Sequence, residues 1–93
     1  MITHVVTFTF IEKDDRLECR ERLESLLPQI DALRSLRVGL DSLGDDGAAD
    51  LVLITTHDDV EGLRAYQQHP AHQEFGVWLR PRTTARTVVD IDE

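Results

Sequence analysis

The sequence lacks the features that mark several large classes of protein. Its 93 residues include one cysteine, Cys19, so no internal disulfide can form, and a zinc ribbon or an iron–sulfur cluster would need more thiols. No apolar run approaches the roughly 20 residues that span a membrane, and the N-terminus has neither the basic nor the apolar region of a signal peptide. We therefore expect a cytoplasmic protein.

Positive charge is also scarce. Eighteen Asp and Glu outnumber ten scattered Lys and Arg, which gives a formal net charge of -8 at pH 7. Nucleic acids and anionic membrane surfaces bind clustered positive charge, so neither is an expected partner. The length fits a single domain over residues 1–93. A domain this small buries a limited share of its surface, which association into an oligomer would increase.

Four segments have the pattern of strands. Residues 2–10, 36–41 and 84–91 alternate between two faces, which predicts half-buried strands. Residues 51–56 are almost continuously apolar, which predicts a strand buried on both faces. The Gly- and Asp-rich residues 42–50 are typical of a hairpin connection.

Helical spacing of apolar residues fills the two long gaps between the strands. Asp14 or Asp15 caps the first predicted helix, and Pro28 kinks or ends it. The second begins at Asp58 or Asp59, and its apolar side continues beyond a break near residue 70. The predicted stripes consist of Leu17, Cys19, Leu23, Leu26, Leu27 and Ile30, then of Val60, Leu63 and Tyr66, and finally of Ala71, Phe75, Trp78 and Leu79.

The resulting order βαββαβ predicts an α+β, ferredoxin-like fold. Two right-handed crossovers in one antiparallel sheet give the strand order 4-1-3-2. The charges favour the same order, because the central strands carry none and the edge strands carry Arg37, Asp41, Arg86 and Asp90. Both helices pack on one face of such a sheet. A second copy of the chain is the simplest cover for the other face.

Residues 63–76 contain the densest group of side chains able to do chemistry. Tyr66 and His69 are three residues apart and so share a helical face, while Pro70 starts a new turn that contains His72. The positive end of a helix dipole favours the neutral imidazole that a general base requires. A tyrosine can donate a hydrogen bond to a carbonyl oxygen that gains negative charge. His4 faces the same space if its side of strand one is covered by helices.

Each of these residues also has a structural interpretation. Tyr66 and His4 are of types that often occur in cores with their polar atoms hydrogen-bonded, and His69 before Pro70 is typical of a helix cap. The spacing of His69 and His72 raises the possibility of a metal site. Pro70 separates the pair, however, Glu74 is the one carboxylate nearby at a ligand-like spacing, and no thiol lies near the pair in the sequence, so no metal is expected. Phe75 and Trp78 are core residues first. A cavity that they line would be apolar and would suit a ring or an alkyl chain.

Nearly the whole chain resembles one family, the stress-responsive dimeric α/β-barrel domain. The resemblance is carried in order by MITHVVTFTF, SLRVGLDS, ADLVLITTHDDVEGLRAYQQHPAHQEFGVWLRP and VVDID. It implies a ferredoxin-like protomer that pairs through its open sheet face. Some members, of the olivetolic acid cyclase type, close polyketides by aldol condensation without a cofactor. That likeness implies that His72 removes a proton, that Tyr66 holds the developing oxyanion and that His4 lies in the pocket.

One residue departs from the family pattern. His57 stands where the family usually has an apolar aromatic residue, and this change bears on the polarity of the pocket.

The functional prediction is a homodimer that binds a small apolar or polyketide-like molecule. Tyr66 and His72 are the candidate catalytic residues, and no cofactor is expected. A reaction by proton transfer or aldol cyclisation is the enzymatic form of this prediction. A non-catalytic structural or protective oligomer is the alternative. The expected substrate-binding residues are His4, His69, Phe75 and Trp78.

Overall fold

Four strands form one antiparallel sheet in the computed structural model, which describes residues 1–93. The spatial order is β2-β3-β1-β4, the same as the predicted 4-1-3-2. β1 is therefore paired on both sides, with β3 and with β4, and its neutral composition fits that central place. The ferredoxin-like prediction is confirmed. The strands are β1 (Ile2–Phe10), β2 (Ser35–Leu40), β3 (Leu51–His57) and β4 (Thr83–Asp92).

Three helices cover one face of the sheet: α1 (Asp15–Glu24), α2 (Val60–Gln68) and α3 (Pro70–Leu79), with a short 3-10 turn at Arg80–Arg82. Asp59 caps α2 by accepting a hydrogen bond from the backbone N–H of Gly62 at 2.8 Å. None of the helices has the length and hydropathy needed to cross a membrane.

The first helix is shorter than predicted. It ends at Glu24, four residues before Pro28, because the proline ring would collide with the Glu24 carbonyl if the helix continued. Leu26 and Ile30 are still buried, although they lie in the turns that follow. Two residues of the predicted apolar stripe are exposed and not buried, with exposed fractions of 54% for Leu17 and 41% for Leu27.

The core lies between the sheet and the helices. Alternate residues of the central strands β1 and β3 point into it, so the helices cover the face of β1 that carries His4. The prediction that β3 is buried on both faces is wrong for the protomer, because Val52 and Ile54 on its other face are half-exposed. The buried residues of the two strands are Ile2, His4, Val6, Phe8, Phe10, Leu51, Leu53, Thr55 and His57.

The opposite face of the sheet has no helical cover. It consists of small, β-branched and hydroxyl side chains and carries a single charged residue, Arg37. On β4 its apolar members remain open, and Val89 is 59% exposed. We call this surface the open face; its members are Ser35, Arg37, Gly39, Val52, Ile54, Thr56, Thr3, Val5, Thr7, Thr9, Ala85, Thr87, Val89 and Ile91.

Candidate active site

A cavity of about 300 Å³ lies between α3 and the helix-covered face of the sheet. Tyr66 enters it from α2, His72 from α3 and His4 from β1, while Arg80 and Arg86 also contribute to its lining. No carboxylate lines the cavity. Its apolar wall is formed by Val6, Phe8, Leu53, Phe75 and Leu79.

Tyr66 is completely buried beside His72. Their ring centroids are 4.6 Å apart, with the rings meeting edge to face. The Tyr66 hydroxyl is the one fully buried side-chain polar atom without a hydrogen-bond partner in the protein. An unpaired buried hydroxyl costs about 1–3 kcal/mol, so its occurrence beside a cavity suggests a partner that is not part of the protein. Burial raises the pKa of Tyr66 well above its usual value, so the group stays a hydrogen-bond donor.

His72 occupies the first turn of α3, as predicted. Burial lowers the pKa of its imidazole below 6.5; the backbone carbonyl of Gln67 opposes that shift, and the charges of His4 and Arg86 add to it. The N-terminal end of α3 also disfavours the charged imidazolium. His72 is therefore neutral near pH 7, the state in which an imidazole can accept a proton.

His4 is held by a carboxylate that the sequence analysis did not select. It lies directly across from Asp90 in the β1–β4 register, and its Nδ1 is hydrogen-bonded to the Asp90 carboxylate. Because an ionised carboxylate only accepts, Nδ1 carries the hydrogen and Nε2 is left as an acceptor. Nε2 makes no hydrogen bond within the protein and is not enclosed, so it is open to the cavity that His4 lines.

His57 lies behind the site and does not line the cavity. Its Nδ1–H donates to the Ala32 carbonyl at 2.8 Å, and its Nε2 accepts from the Thr55 hydroxyl at 2.9 Å. The ring centroid is 4.9 Å from that of Tyr66. Burial lowers the pKa of His57, and the Ala32 carbonyl opposes the shift. The histidine at this position therefore supports the Tyr66 ring from the core and leaves the cavity wall unchanged.

Two of the residues expected to bind substrate are not at the cavity. His69 caps α3, where its Nδ1 accepts a hydrogen bond from the backbone N–H of Ala71 at 3.0 Å. Trp78 lies between two guanidinium groups, with the Cζ atoms of Arg22 and Arg82 at 4.8 and 4.7 Å from its ring. Nowhere does the chain bring together three or more His, Cys, Asp or Glu side chains in a group that could hold a metal ion.

Of the six residues selected from the sequence, the other four do line the cavity: Tyr66, His72, His4 and Phe75. Asp90 was not predicted as a site residue, because it reaches His4 only through the pairing of β1 with β4. The two residues are 86 positions apart in the sequence and share no local motif.

The chain matches one known protein family over nearly its whole length. The sequence profile of the stress responsive A/B barrel domain matches residues 2–93. The chain belongs to this family. Among curated proteins, none matches this A/B barrel chain significantly.

Solved structures share the fold of this A/B barrel domain over its whole length. A dimeric ferredoxin-like protein from Thermobifida fusca has a TM-score of 0.87 and 25% identity, with 99% of this chain and 90% of that chain covered. A dimeric protein from Bacteroides fragilis has a TM-score of 0.84 and 24% identity, with 99% of this chain and 95% of that chain covered. The hydroxynitrile lyase from Passiflora edulis has a TM-score of 0.82 and 17% identity, with 99% of this chain and 94% of that chain covered. The first two of these structural neighbours are dimers.

Proposed function

We propose that this A/B barrel protein binds a small apolar or polyketide-like molecule and catalyses its cyclisation by cofactor-free proton transfer of the aldol type. The observation that carries the proposal is the unpaired Tyr66 hydroxyl beside a neutral His72 in one cavity. Such a pair supplies a base and an oxyanion donor to the same small space.

The proposed reaction begins with neutral His72. Its imidazole takes the acidic proton from a carbon between two carbonyls, and the electron pair moves onto the adjacent carbonyl oxygen. Tyr66 donates a hydrogen bond to that oxygen, which holds more negative charge in the transition state than in the substrate. The enolate carbon then attacks a second carbonyl of the same chain. The imidazolium returns its proton to the alkoxide that forms, so His72 ends as it began.

The other groups at the cavity have positioning roles in this proposal. The apolar wall holds a folded alkyl or polyketide chain and excludes water from the reacting atoms. Nε2 of His4 accepts a hydrogen bond from a substrate hydroxyl or enol, and Asp90 fixes the ring that presents it. Phe75 is the proposed substrate contact on α3.

We also propose that the protein is a homodimer joined through the open face. That surface carries one charge among its small, β-branched and hydroxyl side chains, whereas the acidic residues lie elsewhere in the chain. Two such surfaces pack without burying carboxylates. The dimeric state of the Thermobifida fusca and Bacteroides fragilis proteins supports the same assembly.

The alternative of a purely structural or protective oligomer has less support. A protein whose only output is a stable assembly gains from a closed core. Here a cavity of about 300 Å³ and an unpaired buried hydroxyl both lower stability. The Passiflora edulis hydroxynitrile lyase supports the enzymatic proposal to the extent that the same fold can house an enzyme.

The test is turnover of a linear 3,5,7-trioxoalkanoyl thioester, whose C2 can attack the C7 carbonyl to close a six-membered ring, followed by the appearance of the aromatic product that forms when the aldol loses water. We expect His72→Ala and Tyr66→Phe each to lower kcat/KM by about 100-fold or more. The matched control is His69→Asn, which removes an imidazole outside the cavity and keeps a good capping residue. Wild-type rates in both site variants, or no turnover of any such thioester by the wild type, would overturn the enzymatic proposal.

A further inference from the structure

Two guanidinium groups at the cavity have no partner in the protein. Arg80 follows α3 and Arg86 lies on β4, and neither makes a side-chain hydrogen bond or an ion pair. Other arginines of the same chain do find carboxylates: Arg34 lies 2.9 Å from Asp58, and Arg22 lies 2.8 Å from Glu18. Two exposed cations that line one cavity are therefore available to bind something else.

The cavity is also free of negative charge, which is unusual in this chain. Eighteen acidic residues give the protein a net charge of -8, yet none of them contributes to the lining. Asp90, on the same face of β4 as Arg86, is hydrogen-bonded to His4. The two side chains of the lining that are permanently charged, Arg80 and Arg86, are both positive.

Both arginines are brought to the cavity by the elements that carry them. Arg86 stands opposite Phe8 on the helix-covered face of the sheet, close enough for its charge to contribute to the lowered pKa of His72. Arg80 folds back over Gly76, and a Cβ at Gly76 would lie only 2.9 Å from its Nη1. A glycine inside a helix costs about 1 kcal/mol relative to alanine, and here it leaves room for the guanidinium.

We infer that the cavity selects amphipathic carboxylates, with the chain or ring against the apolar wall and the carboxylate held by Arg80 and Arg86. This inference rests on the proposed function and names its ligand class. Guanidinium groups suit this task because their planar donors match the two oxygens of a carboxylate. The volume lies at the lower end of the roughly 300–1,000 Å³ of small-molecule sites, which favours a chain of medium length.

The experiment compares octanoate with 1-octanol, which has the same chain length and no charge, by NMR titration of the labelled protein. We expect octanoate to bind more tightly, with shift changes at the amides of Gly76 and Tyr66. Arg80→Gln and Arg86→Gln should each weaken octanoate about five- to tenfold and leave octanol unchanged, because a charge-assisted contact at a partly exposed site is lost. Added salt should weaken octanoate alone.

Arg20→Gln is the matched control, since it removes the same charge from α1, a helix that contributes nothing to the cavity wall. It should change neither affinity. Equal binding of octanoate and octanol in the cavity, or wild-type octanoate affinity in both Arg80→Gln and Arg86→Gln, overturns the inference and leaves the apolar binding site in place. Absence of binding by both compounds overturns the inference together with the proposed binding function.

Discussion

Nδ1 of His4 donates a hydrogen bond to the carboxylate of Asp90, which lies directly opposite it in the pairing of β4 with β1. The pair joins an exposed sheet edge to the floor of the cavity, because Asp90 is partly open to solvent and His4 is buried. The carboxylate determines which ring nitrogen carries the hydrogen, and it thereby determines what His4 offers to a ligand.

We expect Asp90→Asn to lower turnover about tenfold, since the neutral amide holds the imidazole less strongly than a carboxylate that is itself partly solvated. The variant should remain folded. The nitrogen chemical shifts of His4 should show that the Nδ1–H tautomer is no longer dominant. Asp92→Asn, on the same face of the same strand, is the control and should keep both the rate and the tautomer. Equal rates in the two variants would contradict a positioning role for Asp90.

The pH dependence of kcat/KM should have an acid limb and no alkaline one. Burial lowers the pKa of His72 below 6.5, so the base is neutral above that value and activity falls only when the pH drops through the lowered pKa. Burial raises the pKa of Tyr66, so its proton stays in place throughout the alkaline range. A rate profile with a midpoint above 6.5, or with an alkaline decline removed by Tyr66→Phe, would contradict these assignments.

Stability should fall with acidity, partly because of His57. Its pKa is lowered by burial, so below 6.5 the unfolded chain binds a proton that the folded protein resists. One such group lowers the free energy of unfolding by up to about 1.4 kcal/mol per pH unit until the folded pKa is passed. His72 acts in the same direction.

The His57 contribution is measured by urea unfolding at fixed protein concentration from about pH 7.5 to about pH 5. His57→Phe should destabilise the protein by about 1–3 kcal/mol at the higher pH, because the Ala32 carbonyl and the Thr55 hydroxyl lose a partner. It should also reduce the dependence on pH. His69→Asn is the comparison and should leave that dependence unchanged; an unchanged slope in His57→Phe as well would exclude the predicted linkage.

The proposed dimer is tested by making the same substitution, valine to glutamate, at two different surfaces of the protomer. Val89 on the open face and Val77 on α3 are both exposed in the protomer, by 59% and 65%. Val89→Glu should give the protomer mass in light scattering at micromolar concentration, because a buried carboxylate without a partner opposes association. Val77→Glu should stay dimeric. A wild-type protein that is monomeric under these conditions would refute the dimer itself.

Local patterns in the sequence were sufficient to predict the fold and part of the site. The alternation over residues 2–10 correctly predicts which residues share a face with His4, although not that the helices cover this face, and the position of His72 after Pro70 correctly places it in the first turn of a helix. These features depend only on periods of two and 3.6 residues, which a single segment displays by itself.

The remaining features depend on how segments meet. Asp90 and Arg86 reach the site through the register of β1 with β4, which no single segment contains. Trp78 illustrates the limit of helical spacing: at roughly 100° per residue it lies about 60° to one side of Phe75, while Leu79 lies about 40° to the other. The cavity is on the Leu79 side, and Trp78 is left between Arg22 and Arg82.

Consecutive residues of β4 face opposite sides of the sheet, so this one strand contributes to two different surfaces. Arg86 lines the cavity and Asp90 holds His4 there, while Thr87 and Val89, which lie between them in the sequence, face the other way, toward the proposed partner. Loss of one residue from the turn before β4 would shift the register of this strand by one residue and exchange the two sets. A carboxylate and a guanidinium would then lie in the proposed dimer interface, and a valine would lie beneath the ligand. Point substitutions can therefore adjust pocket and interface one at a time, whereas a single deletion at this edge would damage both at once.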